Sequence, residues 1–220
     1  MFSSIEIYLP SFIFTFQTTS MLDQFYQYLS SKVFLTTSEW EKLREICVFK
    51  TIDKGEFLLR EGGHSADLII VVQGCIRTYR ADSQGRIRIN SFAIENGWAG
   101  DGKTIETATP SKFSIDAIER TTVVLINTLK FDVLCREIPP LNQFLTDNLK
   151  ECLSGSRGQL DMISIPTAED KFRSFTLHHP ELLTRVPQYM IASYLGITPE
   201  SLSRIRKKLA KEHFFTVSAS

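Results

Sequence analysis

Few residues of this chain are equipped to hold a metal or to act as a nucleophile. The 220 residues include four cysteines and four histidines. Cys47, Cys75, Cys135 and Cys152 are widely separated without a CxxC pair, and His64 is the only histidine before His178. That scarcity argues against a zinc ribbon, a short disulfide framework and a cupin-like metal enzyme, each of which needs several ligands converging on one point. The thiols read as buried, reduced core groups of a cytoplasmic, non-enzymatic protein. Basic residues are missing from the start, because no Lys or Arg occurs before Lys32. Residues 5–16 are apolar, yet they lack the positive flank of a secretion signal, and Pro10 breaks a run already too short to span a bilayer. No membrane attachment is expected. Residues 1–20 are best treated as an N-terminal extension outside the fold argument.

Net charge is missing as well. The 25 basic residues balance the 25 acidic ones, so affinity for a polyanion has to come from local charge. The C-terminal end supplies it. From Pro166 onward eight Lys/Arg stand against five Asp/Glu.

Between Cys47 and Thr128 the chain reads as short strands with turn residues every eight to twelve positions, the pattern of a small sandwich or barrel. The candidates are VFKTI, EFLLRE, DLIIVV, CIRTYRA, RIRINSFA, KFSIDAI and TTVVLI. Asp82-Ser83-Gln84-Gly85 is a hairpin loop between two of them. In RIRINSF the alternation sets Ile87, Ile89 and Ser91 on one face. After Leu129 the period changes to about 3.6. Pro140 opens a helix whose stripe of Leu141, Leu145, Leu149 and Cys152 or Leu153 predicts a parallel pair across a dimer axis; the bland alternative lays the helix on its own barrel. The domains expected are therefore a sensor over 21–138, a connecting helix over 139–165 and a helical unit over 166–220.

The segment QYMIASYLGITPESLSRIRKKL carries the functional signal. A helix-turn-helix needs a small residue where its helices approach, a glycine free to take positive φ in the turn, and apolar residues fixing both helices. Ala192, Gly196 and the set Ile191, Leu195, Ile197, Leu202 and Ile205 meet these demands. Thr198 followed by Pro199 is an N-cap and first-turn signal. On the second helix Leu202, Ile205 and Leu209 form the inner stripe, which leaves Glu200, Ser201, Ser203, Arg204, Lys207 and Lys208 on the outer face with Thr198 at its start. Such a face suits a major groove of double-stranded DNA, with Arg204 able to fork onto a guanine and Glu200 able to accept from a cytosine amino group.

ASYLGITPESLSRIRKKL resembles the recognition segment of the Crp/Fnr transcription regulators, and the order of β-rich sensor, long helix and C-terminal helical unit is also similar to theirs. The resemblance runs from Met21 to the end and is strongest over the last thirty residues. It implies an α+β fold: an antiparallel β-barrel of the double-stranded β-helix, jelly-roll-like kind, a dimerisation helix, and a helix-turn-helix whose closing wing is truncated. It also implies a homodimer that meets DNA and RNA polymerase. Glu200 and Arg204 match base-reading positions of the family, whereas Pro199 stands where its pattern has a further base-reading arginine.

In the family's nucleotide-binding members a Gly-Glu pair holds the ribose and an Arg-Ser pair about ten residues later holds the cyclic phosphate. Here Gly100 and Asp101 match the first pair, and only Ser111 and Lys112 are available for the second. Lysine lacks the two-pronged fork of arginine, so these residues imply a small-molecule effector other than cAMP, or none. A haem- or redox-responsive sensor on the same scaffold, with Cys75 or His64 as a haem ligand, and an effector-independent DNA-binding protein stay open at this level.

Overall fold

A computed structural model describes residues 11–101, 109–150 and 167–212, with side chains from Met21 onward. Helix α1 (Ser11–Lys32) begins inside the segment set aside as an extension, and it runs through Met21 without a break. Helix α2 (Thr37–Glu45) starts with a capping box, in which the Thr36 hydroxyl oxygen accepts from the Glu39 N–H and Glu39 accepts from the Thr36 N–H. Among the described residues eight strands follow: β1 (Cys47–Ile52), β2 (Phe57–Leu59), β3 (Asp67–Gln73), β4 (Ile76–Ala81), β5 (Ile87–Ala93), β6 (Trp98–Ala99), β7 (Ser114–Ala117) and β8 (Thr121–Asn127). The first, third and last were read closely from sequence. The two-residue β6 was not anticipated, being too short to show a period.

These strands do not close into a barrel. They form two four-stranded antiparallel sheets, ordered β1-β8-β3-β6 and β2-β7-β4-β5. Between the sheets lies a core of Ile52, Leu59, Ile69, Val71, Ile76, Ala93, Ile115, Ala117 and Val123. In β3 the even-numbered Ile70 and Val72 point the other way, into a second core beneath the flanking helices. Val124 and Ile126 of β8 join them there. Burial on both faces is why DLIIVV and TTVVLI read as continuous apolar runs rather than alternating ones.

Helix α3 (Thr128–Glu137) is capped by Asn127, whose side chain accepts from the Lys130 N–H. Helix α4 occupies residues 139–150 up to the limit of this described stretch. Its expected dimer stripe needs correction. Leu141 is fully buried in the sensor's own second core, beside Phe25, Leu29, Leu43 and Phe144, and Leu145 packs against that core. Only Leu149 of the stripe is exposed; Cys152 and Leu153, like the rest of the 139–165 helix, lie outside the described residues. The sensor claims the start of this helix because Phe144 fills the space beside Tyr28 and Trp98.

The chain's last part is helical: α5 (Ala168–His178), α6 (Leu182–Arg185), α7 (Gln188–Leu195) and α8 (Pro199–Lys211). It has a core of its own, built from Phe172, Phe175, Ile191, Leu195, Leu202 and Leu209. That core is continuous with Cys75, Tyr79, Ile89 and Ile118 on the outer face of the second sheet. The expected common face of Ile87, Ile89 and Ser91 fails for a related reason. Thr78 pairs with Ser91 and Tyr79 with Ile89, so Asn90 is an extra residue that switches the phase of β5. Ile89 is buried beneath the helical unit while Ile87 and Ser91 are exposed.

Candidate nucleic-acid interface and sensor cradle

The turn between α7 and α8 is built as its sequence requires. Gly196 adopts φ +68°, a left-handed conformation that costs a residue with Cβ roughly 1–2 kcal/mol. Around it the Ile197 N–H donates to Ala192 O (3.0 Å) and the Gly196 N–H to Ser193 O (3.2 Å), the Schellman closure of a helix. Space plays no part, since a Cβ on Gly196 would meet nothing within 4 Å. Two residues on, Thr198 is extended and its hydroxyl oxygen accepts from the Ser201 N–H at 3.2 Å, with Pro199 in the first turn. The backbone thus leaves one helix and enters the next within three residues.

Leu202 and Leu209 of α8 are fully buried and Ile205 packs beside them. On the opposite side Thr198, Glu200, Arg204, Lys207 and Lys208 are exposed, and Ser201 and Ser203 are half-buried. The structure therefore brings all seven predicted residues to one helix and its cap. Arg204 touches the Ser201 hydroxyl at 3.4 Å. Glu200 is held below the usual carboxylate range by backbone hydrogen bonding at the start of the helix and by Thr198. Lys208 is engaged more closely than its position on the helix suggested. Its Nζ donates to Glu169 at 2.7 Å, and Arg173 reaches both Glu169 (2.9 Å) and Glu212 (2.8 Å). This cluster ties the first turn of α5 to the last turns of α8. Its acids, Glu169 and Glu212, were not singled out in the sequence; the i,i+4 spacing of Glu169 and Arg173, and of Lys208 and Glu212, was its visible trace.

In the sensor, Asp101 and Ser111 lie within hydrogen-bonding distance of one another. The buried Ser111 hydroxyl donates to Asp101 Oδ2 at 2.7 Å and accepts from the Phe113 N–H at 3.0 Å. The carboxylate that would meet a ribose is thus satisfied from within. Lys112 is exposed while Ser111 beside it is buried. A phosphate held between these strands would therefore meet a hydroxyl where an arginine is needed. As for haem, Cys75 is fully buried, and that burial pushes its thiol up to about 12; His64 is an exposed surface residue. Among the described residues no group of three or more His, Cys, Asp or Glu side chains is placed to hold a metal ion.

The sequence reading did not foresee that the helical unit is seated on the sensor. The Ser193 hydroxyl donates to Ile87 O (2.8 Å) and accepts from the Ile89 N–H (3.2 Å), so that a side chain of α7 supplies the edge strand β5 with the partners a further strand would provide. Tyr194 packs its ring against Phe92 and Phe175. Arg185 grips Glu95 with both terminal nitrogens (2.7 and 2.9 Å) and also reaches Glu119 through Nε at 3.1 Å. Only the separation of Arg185 from both acids by more than sixty residues hid this clamp.

Residues 49–137 match the model of the cyclic nucleotide-binding domain. The transcriptional activator protein anr of Pseudomonas aeruginosa is 24% identical over 184 residues, which cover 78% of this chain and 74% of that one. Among solved structures, FixK2 from Bradyrhizobium japonicum aligns with a TM-score of 0.66 at 20% identity, over 76% of this chain and 86% of that one. A structure from Eubacterium rectale assigned to the crp/fnr family aligns with a TM-score of 0.64 at 16% identity, over 84% and 88%. At these identities the structural likenesses speak for the fold, in which the antiparallel sheets and helices found here recur.

Proposed function

Because the chain belongs to the Crp/Fnr family of transcription regulators, we propose that it is a dimeric, sequence-specific DNA-binding regulator whose reading head is α8. The supporting observation is the division of that helix. A Thr198-capped, Leu202- and Leu209-anchored helix presents Glu200, Arg204, Lys207 and Lys208 together on one exposed face. Entered into a major groove by its N-terminal half, it sets Arg204 and Glu200 against base edges and its lysines against phosphates. Lys208 has to exchange Glu169 for a phosphate when it binds. Two copies joined as a dimer would read palindromic half-sites about one helical turn apart. Acting on DNA, the protein works in the cytoplasm beside RNA polymerase, and no described helix is long and apolar enough to cross a membrane.

The cradle favours a sensor that does not take cAMP in the family's usual way, because Asp101 is already bonded to Ser111 and no arginine stands opposite it. Selection of bound sequences from a random DNA pool, with wild type and Arg204→Ala in parallel, tests the reading. The wild type should return a palindrome. Arg204→Ala should lose preference at one position per half-site, at a cost of roughly 1–3 kcal/mol. Unchanged selectivity, or affinity indifferent to salt, would remove the base-reading role.

A further inference from the structure

Two adjoining cavities, of about 550 and 500 Å³, open along the sensor between α1, the turn from β5 to β6, and α4. Tyr28, Glu95 and Asn96 line both, so together they form one cleft of the size that takes small metabolites. The cleft shares no residue with the nucleotide cradle at Gly100, Asp101, Ser111 and Lys112.

Its walls have a definite chemistry. The Trp98 indole N–H donates to the Tyr28 hydroxyl (3.1 Å), which donates on to Asn148 Oδ1 (3.3 Å). Phe144 packs against both rings, at 5.5 Å from Trp98 and 6.1 Å from Tyr28. Side chains from α1, β6 and α4 thus brace one aromatic wall. Among the described lining residues Glu95 is the only anion and the exposed Lys32 the only cation, and most other polar groups are the amides of Gln24, Gln27, Gln73, Asn96 and Asn148. A carboxylate beside electron-rich rings and neutral amides is a setting for a cation, because ring faces and carboxylate both attract positive charge.

Glu95 has a second engagement. The same carboxylate accepts both terminal nitrogens of Arg185 from the helical unit, and the Gly74 N–H besides. We propose that the cleft binds a small organic cation, a primary amine carried on an apolar or aromatic body, whose ammonium group competes with Arg185 for Glu95. An occupied cleft and an intact clamp then oppose one another. By linkage, amine binding and the Arg185 clamp weaken one another by the same factor.

That reciprocity makes the test sharp. The chain has two tryptophans, Trp40 and Trp98, so full-length Trp40→Phe protein reports on the cleft through Trp98 fluorescence alone. Tyramine should change that fluorescence saturably, and uncharged N-acetyltyramine should not. Glu95→Gln should weaken tyramine binding at least about tenfold, while Arg185→Gln, which leaves the cleft lining intact, should tighten it by about five- to fifty-fold, the usual span of coupling between sites. Circular dichroism establishes that each variant is folded. Equal responses to the two probes, no saturable response at all, or an Arg185→Gln protein that binds tyramine no better than its parent would each overturn the proposal.

Discussion

The sensor's sandwich has two outer faces, and they are covered in different ways. On the first sheet Ile70, Val72, Val124 and Ile126 meet Phe25, Leu29, Leu43, Phe131 and Leu141 from the flanking helices. That contact is apolar apart from the Trp98–Tyr28–Asn148 chain at the edge strand β6. On the second sheet Cys75, Tyr79 and Ile89 meet the helical unit in company with polar groups: the buried Arg77–Asp116 pair (2.7 Å), the Ser193 bridge to β5, and Arg185 between Glu95 and Glu119. The first covering completes the sensor, because Ile70 and Val124 would otherwise face water. The second joins two units that each have a core, and it has the polar character of interfaces between domains. A regulator needs one covering that stays and one that can be changed.

The largest test sets like against like. Ile70 and Ile89 are both isoleucines on adjacent-face strands and are 1% and 2% exposed. Ile70→Ala should lower the stability of the whole chain to urea by about 2–5 kcal/mol in one cooperative transition. Ile89→Ala should cost less, under about 2 kcal/mol, since an interface between separate units can close over the gap, and it should let helical and sensor signals unfold apart. Equal losses with a single transition for both would show that the second covering is core as well.

Much of this contrast was legible in the sequence on one side only. Thr198-Pro199 and Gly196 announced the start and stop of two helices because caps and positive-φ positions are local chemistry, set within three or four residues. The outer face of α8 followed from a 3.6 period, and Glu200, Arg204, Lys207 and Lys208 are exposed on it, with Ser201 and Ser203 half-buried. DLIIVV and TTVVLI read as strands because short apolar runs bounded by turn residues are a local signal too. What was hidden depends on partners far along the chain. The bulge at Asn90 answers to Tyr79 across the sheet, Leu141 is drawn into a core by α1 and α2, and Arg185 finds Glu95 at a separation of ninety residues. A period in sequence says that a stripe will be buried; it does not say by what. Hence a stripe that reads as a dimer seam belongs, at Leu141 and Leu145, to the sensor's own core.

A middle-sized effect isolates the clamp from the apolar contact around it. Arg185→Ala removes a guanidinium whose bonds hold two carboxylates, and with side chains 24% to 37% exposed the loss should be screened to about 1–2 kcal/mol of docking rather than the larger cost of a buried pair. The amide of Ile89, which donates to Ser193 of the helical unit, is the natural probe. Its hydrogen exchange should quicken in Arg185→Ala while amides of β3 keep their protection. Quickening in both strands together would mean that the clamp supports the sensor itself, and the distinction between the two coverings would narrow.

The smallest effect separates the two faces by pH. Under the first sheet, burial pushes the thiols of Cys47 and Cys135 up to about 12 and about 11, so neither changes charge in the neutral or acidic range. The helical unit differs. Burial beside Phe175 lowers His179 below 6.5, with Glu181 opposing and His178 adding to the shift. Its neutral ring is the form the fold prefers. Below pH 6.5 the unfolded chain takes a proton that the folded one refuses, so stability falls as pH drops toward the folded value. Glu95 contributes in a lower window: burial raises it, but the bonds from Arg185 and the Gly74 N–H outweigh burial and hold it below 4.5. The stabilisation it brings is complete above about 4.5 and is lost as pH falls through that lower value. The protection factor at Ile89, which corrects for the intrinsic pH dependence of exchange, should therefore fall in two stages on acidification. In His179→Phe the upper stage should vanish and the lower remain; loss of both, or of neither, would show that some other group governs how the second covering answers to acid.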